Sequence, residues 1–280
     1  MLKQVAVFSV KGGCGKSTVS AGLCYALRDS GYKDRVGYLE VDISGTSGHR
    51  AFGIKPPKLG LDTKNQKIIP PLVNGIRMFP LASKFTEAAC IGWKSSDREL
   101  KLSSGDRVID KGRTGFIEEL LTRAVDWGDL EWLVLDLPPS TTDETFTFFR
   151  CLPQLFGVIL VSQPSEISVV GLAKTIDFLR REERPILGLV ENMASCLCPH
   201  CGQQFYPFVS GGVDLKKLAG EEGIPFLVSI PQVDEMSKLK PYFAELANKV
   251  ITGKGKVLKQ SVFSVGARLE RAIIKKGLGL

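Results

Sequence analysis

The feature that most constrains this chain is a glycine-rich loop between an apolar strand and a helix, close to the N-terminus. The run KGGCGKST at residues 11–18 follows an apolar stretch at 4–10 and opens a helical pattern at 16–30. Glycines allow the backbone N–H groups of such a loop to point inward at phosphates, at the N-terminus of the helix. The spacing predicts that Lys16 reaches the β- and γ-phosphates of a nucleotide and that Ser17 holds Mg²⁺.

The rest of the chain alternates short apolar runs with longer amphipathic ones, which predicts an α/β fold with a doubly wound, mostly parallel sheet and helices on both faces. Strands are predicted at residues 4–10, 35–41, 76–80, 132–137, 156–162, 185–190 and 225–230. Helices are predicted at residues 16–30, 116–125, 168–181, 212–222 and 235–250. We expect a P-loop ATPase domain over residues 1–250, interrupted by a long irregular region at 43–113, and a separate basic tail over 251–280.

Composition excludes several classes of protein. The 280 residues are 44% apolar and 24% charged, which is enough to bury a core and too balanced for disorder. Apolar runs are too short to span a bilayer, and the start of the chain lacks the pattern of a signal peptide. Seven cysteines are too sparse for a secreted disulfide framework. These features predict a soluble, cytoplasmic protein.

Most of the net charge of +7 lies in the tail, because residues 251–280 hold seven basic residues and one acidic residue. The nearly neutral body argues against nucleic acid as a partner. In the tail, Val262, Val265, Leu269 and Ile273 fall at helical spacing. This helix is expected either to dock its apolar stripe on the domain or to contact a membrane surface or an acidic partner.

The phosphate loop departs from the strict G-x-x-x-x-G-K-[ST] pattern, because Val10 stands at its first position and Lys11 adds a second lysine. This variant resembles the deviant Walker A loop of SIMIBI-class ATPases, which include Mrp/ApbC iron–sulfur cluster carriers, MinD and ParA proteins, and the nitrogenase iron protein. The resemblance implies that Lys11 reaches the partner's phosphates across a nucleotide-sandwich homodimer. It also implies an ATP-binding loop made of Gly12, Gly13, Cys14, Gly15, Lys16, Ser17 and Thr18.

Two carboxylates are expected to accompany the loop. Asp136 ends an apolar run and suits a Walker B residue that holds Mg²⁺. Its continuation is similar to the D-L-P-P-G-T-G-D-E switch of Mrp-type carriers, with Ser140 and Thr142 in place of two glycines. Asp42 lies in LEVDISGTS, which resembles the carriers' D-x-D-x-x-G-P-S stretch, with Glu40 in place of the first Asp. The resemblance makes Asp42 the residue that aligns the attacking water; the alternative is an acid capping a turn.

Farther along, Glu191, Asn192 and Met193 resemble the family's E-N-M segment, in which the asparagine reads the edge of adenine. An amide carries both a donor and an acceptor, which suits that contact. The alternative is that Asn192 simply forms a turn.

The most diagnostic stretch is CLCPHCG at residues 196–202. Its C-P-x-C motif places two thiols, Cys198 and Cys201, on a tight turn of the kind that holds zinc or an iron–sulfur cluster. Both metals generally take four ligands, so two copies of this loop across a two-fold axis would complete a site. This pattern resembles that of the Mrp-type carriers, in which two subunits share a [4Fe–4S] cluster between such loops. The alternative is structural zinc bound within one chain, with Cys196 and His200 as further ligands; otherwise Cys196 is a small buried residue and His200 a spacer.

Together these motifs and their resemblance to the Mrp/ApbC carriers imply an ATP-dependent iron–sulfur cluster carrier or scaffold. It would bind ATP, Mg²⁺ and a [4Fe–4S] cluster at a homodimer interface and transfer the cluster to apo-proteins, with Lys11, Lys16 and Asp42 as catalytic residues. One alternative is a positioning ATPase of the MinD/ParA kind, with structural or incidental cysteines and a membrane- or DNA-binding tail. Another is an electron-transferring reductase like the nitrogenase iron protein.

Overall fold

A nine-stranded sheet, mostly parallel, forms the centre of the chain. The structure is a computed structural model. It describes residues 1–9, 11–41, 47–80, 100–101, 107–108, 124–139, 143–152, 155–198, 200–207 and 213–259.

The strands have the following bounds: β1 Lys3–Phe8, β2 Val36–Glu40, β3 Gly60–Asp62, β4 Lys67–Ile69, β5 Leu72–Val73, β6 Ile76–Phe79, β7 Leu100–Lys101, β8 Arg107–Val108, β9 Trp132–Asp136, β10 Gly157–Ser162, β11 Ile186–Leu197, β12 Gln204–Phe205 and β13 Phe226–Gln232. The helices are α1 Lys16–Leu27, α2 Gly48–Ala51, α3 Asp143–Cys151, α4 Glu166–Arg181, α5 Leu215–Glu221 and α6 Lys240–Thr252. A π-helical turn, Arg28–Tyr32, continues α1, and a 3₁₀ turn, Met236–Leu239, leads into α6.

The order of strands in the main sheet is β12-β11-β10-β1-β9-β2-β6-β5, and β13 also pairs with β11. Strand β1 therefore lies in the middle, with β10 and β9 parallel on its two sides. Of the strands that the structure describes in this sheet, the short strands β12 and β5 pair antiparallel. In a parallel sheet of this kind, ligands bind beyond the carboxyl ends of the central strands. That edge carries the loops after β1, β2 and β9.

Two apolar cores cover the two faces of the sheet, which confirms the predicted fold class. Alternate residues of β1 enter opposite cores: Val5 and Val7 pack on one side, and Ala6 and Phe8 on the other. Helices α1 and α6 cover the first face, and α3, α4 and α5 cover the second. Burial on both faces explains why the central strands are continuous apolar runs rather than alternating ones.

Where the described residues test them, most predicted elements occur within a few residues of their expected bounds. Strand β11 is the main exception, because it continues past residue 190 to Leu197 and ends directly before Cys198. The region expected to be irregular also contains an antiparallel hairpin of β3 and β4. Most of the predicted helix at 116–125 lies outside the described residues.

The division into a domain at 1–250 and a tail at 251–280 stays a prediction, and residues 260–280, with the predicted tail helix, lie outside the described residues. The first part of the proposed tail contacts the body: Lys256 exchanges backbone hydrogen bonds of 2.9 Å with Ile186, and Leu258 is buried. Among the described residues, no helix is both long enough and apolar enough to cross a lipid bilayer.

Candidate nucleotide site and metal-binding knuckle

The phosphate loop connects β1 to α1 at the middle of the sheet. Gly13 and Gly15 have φ values of +78° and +83°, in the left-handed region that favours glycine. A Cβ atom added at Gly12 or Gly13 would meet nothing within 4 Å, so the loop is open on that side. Lys16 is the first residue of α1 and is buried. This arrangement has the backbone and the lysine that the sequence predicts for a phosphate cradle.

Cys14 faces the protein and not the open side of the loop. Its Sγ atom lies 2.8 Å from the hydroxyl of Ser9 and 3.3 Å from the carbonyl oxygen of Lys11. The side chain is buried, as expected for a small residue that fills the space beneath the loop. The thiol of Cys14 therefore helps to pack the loop, and the predicted part of its backbone in nucleotide binding stays a prediction.

Asn192 supports the same loop from strand β11. Its Nδ2 donates a hydrogen bond of 2.8 Å to the carbonyl oxygen of Cys14, and the side chain is buried. A Cβ atom at Gly15 would come within 2.2 Å of this Nδ2, so only glycine allows the close approach. The predicted contact with adenine stays a prediction, and the observed partner of the amide is the loop itself.

Asp136 ends β9 between β1 and β2, where it is a register partner of Val7 and of Glu40. Its Oδ2 accepts a hydrogen bond of 3.1 Å from the hydroxyl of Tyr38. Burial raises the pKa of Tyr38 well above its ordinary value, and the charges of Asp136 and Glu40 raise it further. Tyr38 is therefore a hydrogen-bond donor at neutral pH. Sequence reasoning missed this contact, which depends on the pairing of β2 with β9.

Glu40 organises the start of α2. Its Oε1 accepts hydrogen bonds from the backbone amides of Ser47 and Gly48, at 2.7 and 2.8 Å. Ser47 in turn places its hydroxyl 3.1 Å from the hydroxyl of Ser17. Thus the glutamate that replaces the family's usual aspartate holds a second hydroxyl beside the predicted Mg²⁺ ligand. Asp42, the predicted water-aligning residue, lies outside the described residues.

Two predicted Mg²⁺ ligands at this edge of the sheet offer oxygen donors, which Mg²⁺ prefers. The hydroxyl of Ser17 and the carboxylate of Asp136 are such donors: Ser17 is the second residue of α1, and Asp136 is the last residue of β9, which pairs with the strand that leads into the phosphate loop. Burial of Asp136 strengthens its interaction with a cation, because the surroundings screen charge less than water does.

The second candidate site is a tight turn that joins Cys198 to Gln203, which we call the knuckle. The backbone amide of Cys198 donates to the carbonyl of Gln203 at 2.9 Å, and that of Gly202 donates to the carbonyl of Cys198 at 2.8 Å. Gly202 has a φ of +69°, which lets the chain reverse within a few residues. The two sides of the turn are β11 and β12, which pair antiparallel.

The knuckle favours a thiolate at Cys198. Hydrogen bonds from the backbone amides of Cys201 and then His200, followed by one from the Cys201 side chain, lower the pKa of the Cys198 thiol. Cys201 is exposed, and Cys198 is partly exposed. Amide N–H groups directed at sulfur are a feature of thiolate metal sites. The turn therefore offers two sulfur ligands at the surface.

Cys196 and His200 do not complete a metal site within one chain. Cys196 lies in β11, and its Sγ donates to Oε1 of Gln232 across to β13, at 3.8 Å. Across the described part of the chain, no three His, Cys, Asp or Glu side chains are grouped so that they could hold a metal ion. The single-chain arrangement of Cys196, Cys198, His200 and Cys201 is thus not formed there.

Comparison with known proteins points to one family. The family model described as "ParA: NUBPL iron-transfer P-loop NTPase" matches residues 1–251. An iron–sulfur cluster carrier protein of Pyrococcus abyssi is 33% identical over 237 residues, covering 81% of this chain and 73% of the relative. A cytosolic Fe-S cluster assembly factor, the NUBP1 homolog of Brugia malayi, is 31% identical and covers 92% of this chain and 80% of its own length.

Solved structures agree on the fold. A nucleotide-binding protein of Archaeoglobus fulgidus in complex with ADP has a TM-score of 0.64 and 27% identity, with 92% of this chain and 94% of the other covered. MinD of Pyrococcus horikoshii with Mg-ADP has a TM-score of 0.59 at 17% identity, covering 90% and 97%; at that identity the likeness concerns the fold alone.

The phosphate loop, the carboxylate at the end of β9 and the family match over most of the chain lead to one assignment. The chain belongs to the NUBPL/Mrp-type iron-transfer P-loop NTPases.

Proposed function

We propose that this chain is an ATP-dependent carrier of a [4Fe–4S] cluster, which two copies hold between their knuckles and deliver to apo-proteins. One observation carries the proposal. A single strand, β11, holds Asn192 against the phosphate loop and ends at the two thiols of the knuckle. The names of the relatives, iron–sulfur cluster carrier protein and Fe-S cluster assembly factor, support the same activity.

The number of ligands supports a dimer. Each knuckle supplies two thiols, Cys198 and Cys201, and a [4Fe–4S] cluster generally takes four thiolates. A two-fold axis between two knuckles brings the required four together without any further residue. Backbone hydrogen bonds lower the pKa of Cys198 from its ordinary value, which favours loading, since the thiolate and not the thiol is the metal ligand.

On the nucleotide side, the loop amides and Lys16 would bind the phosphates of ATP. Ser17 and Asp136 would hold Mg²⁺, which when bound neutralises charge on the β- and γ-phosphates. Tyr38 keeps the Asp136 carboxylate in place through its hydrogen bond. We expect Asp42 to align the attacking water and Lys11 to reach the partner's nucleotide, which would stabilise the charge that develops on the phosphates.

The shared strand suggests how nucleotide and cluster communicate. A shift of the phosphate loop on ATP binding would move Cys14, the partner of Asn192, and β11 would transmit the displacement to Cys198. Hydrolysis would return the loop to its first position. Apo iron–sulfur proteins are the expected acceptors. We also propose a cytoplasmic location, in line with the relatives named as cytosolic assembly factors.

A transfer assay tests the proposal. Protein reconstituted with iron and sulfide is mixed with an apo-enzyme that needs a [4Fe–4S] cluster, with and without ATP and Mg²⁺, in the presence of an iron chelator. We expect activation of the acceptor by the wild type and none by Cys198→Ala/Cys201→Ala. The Lys16→Ala variant should still bind a cluster, but its transfer to the acceptor should no longer respond to ATP. Activation by the double cysteine variant at the wild-type rate would contradict the proposal.

A further inference from the structure

Two exposed aromatic side chains lie directly after the knuckle. Phe205 and Tyr206 are 49% and 60% exposed. Single exposed apolar residues are common on protein surfaces. Aromatic residues are enriched at protein–protein interfaces, so two exposed aromatic neighbours close to the thiols make this surface a candidate contact.

Strand pairing defines where this aromatic pair lies. Phe205 is opposite Cys196, and Gln204 is opposite Leu197, in the antiparallel β11–β12 ladder. Opposite residues of such a ladder project to the same face, with Cβ atoms about 5 Å apart. Strand β12 pairs with β11, at the end of the strand order opposite β5. Phe205 thus lies beside the thiol-bearing turn at the β11 end of the sheet, and Tyr206 follows it in the chain.

The charge pattern around the knuckle favours a second copy of this chain as the occupant. Residues 192–213 contain no Asp, Glu, Lys or Arg, although 24% of the chain is charged. At that average, about five charged residues would fall in the stretch. Across a two-fold axis every charge near the axis faces its own copy, so a charge-free segment avoids repulsion there. Depletion of charge and enrichment of aromatic residues also characterise the cores of interfaces.

We propose that Phe205 and Tyr206 pack against the knuckle of a second copy and form an apolar wall that keeps water from the shared cluster. The inference rests on the proposed function, because it is the cluster that brings the two knuckles together. The apolar surroundings of a metal site control solvent access, so this wall would stabilise both the dimer and the cluster.

The test compares Phe205→Ser/Tyr206→Ser with a matched control, Leu72→Ser. Leu72 is 50% exposed, and it lies in β5 at the opposite end of the sheet. Each protein is reconstituted with iron and sulfide. Sedimentation equilibrium then gives the dimer Kd, and the decay of cluster absorbance in air gives the lifetime of the cluster. Equal unfolding free energies and ADP affinities check that the fold is unchanged.

We expect the double variant to raise the dimer Kd about tenfold or more and to shorten the cluster lifetime, with the control close to wild type. A double variant that dimerises and keeps its cluster like the control overturns the inference. The same holds if dimerisation is normal and only transfer to the acceptor slows, since the aromatic pair would then bind the acceptor. A wild type that holds no iron refutes the proposed function itself, and this inference with it.

Discussion

Replacing Asn192 with alanine tests whether this residue supports the phosphate loop. The change removes the 2.8 Å hydrogen bond to the Cys14 carbonyl. A neutral hydrogen bond contributes about 1 kcal/mol net. In the variant, ligand binding must order a loop that lacks this hydrogen bond. The binding free energy should therefore fall by about that amount, which raises Kd about fivefold. Calorimetric titration with ATP, GTP and inorganic pyrophosphate measures the loss for each ligand.

We expect all three ligands to weaken by a similar factor, because the support acts on the part of the site that binds phosphates. Asn192→Asp should weaken them more, since a carboxylate cannot donate to the Cys14 carbonyl. Ser229→Ala is the matched control. It removes a 2.7 Å hydrogen bond from Ser229 in β13 to Glu191, the neighbour of Asn192 in β11, and does not involve the phosphate loop. Loss of ATP affinity with unchanged pyrophosphate affinity would refute the reasoning and identify Asn192 as a reader of adenine.

Three further predictions concern Gly15, Tyr38 and the cysteine thiols. Gly15→Ala should weaken nucleotide binding at least about tenfold in the same titration. The new Cβ would lie 2.2 Å from Asn192 Nδ2, at a φ of +83°. Unchanged affinity would contradict the loop geometry. Tyr38→Phe should lower the unfolding free energy by about 1–2 kcal/mol in urea, since buried Asp136 loses a donor; an unaltered midpoint and slope would count against that contact. At about pH 8, iodoacetamide should label the knuckle cysteines of the native, metal-free protein. It should spare Cys24, because burial raises the pKa of that thiol. Equal labelling of Cys24 before and after unfolding would contradict its burial in the native protein.

The fold could be predicted where local pattern and final environment agree. The apolar runs at β1, β9 and β10 are buried on both faces, and their composition already indicates this. Strand β11 extends beyond its predicted end because β12 and β13 pair with it there. Met193, with a φ of +55°, and the register shift between Asn192 and Cys196 interrupt any local strand pattern. Only the tertiary partners keep this segment extended.

For the candidate site, the sequence could indicate which residue types lie near one another, while the roles of these residues stay predictions. Motif spacing put Lys16 and Ser17 at the start of a helix and Asp136 at the end of a strand, and the structure has them there. The supporting contacts could not be predicted from the sequence, because each joins residues that are distant in the chain. The hydrogen bond from Tyr38 to Asp136 spans 98 positions, and the one from Asn192 to Cys14 spans 178. The role of Glu40 had a visible signal, its departure from the family's aspartate, but the amides that it binds become evident only in the folded chain.

The central claim is that two chains share one iron–sulfur cluster through Cys198 and Cys201. The most direct test is the content of iron, acid-labile sulfide and zinc in protein purified without oxygen, for the wild type beside Cys198→Ala/Cys201→Ala. The account predicts about four iron and four sulfide per dimer, lost in the double variant. About one zinc per chain, with no sulfide even after reconstitution, would contradict it.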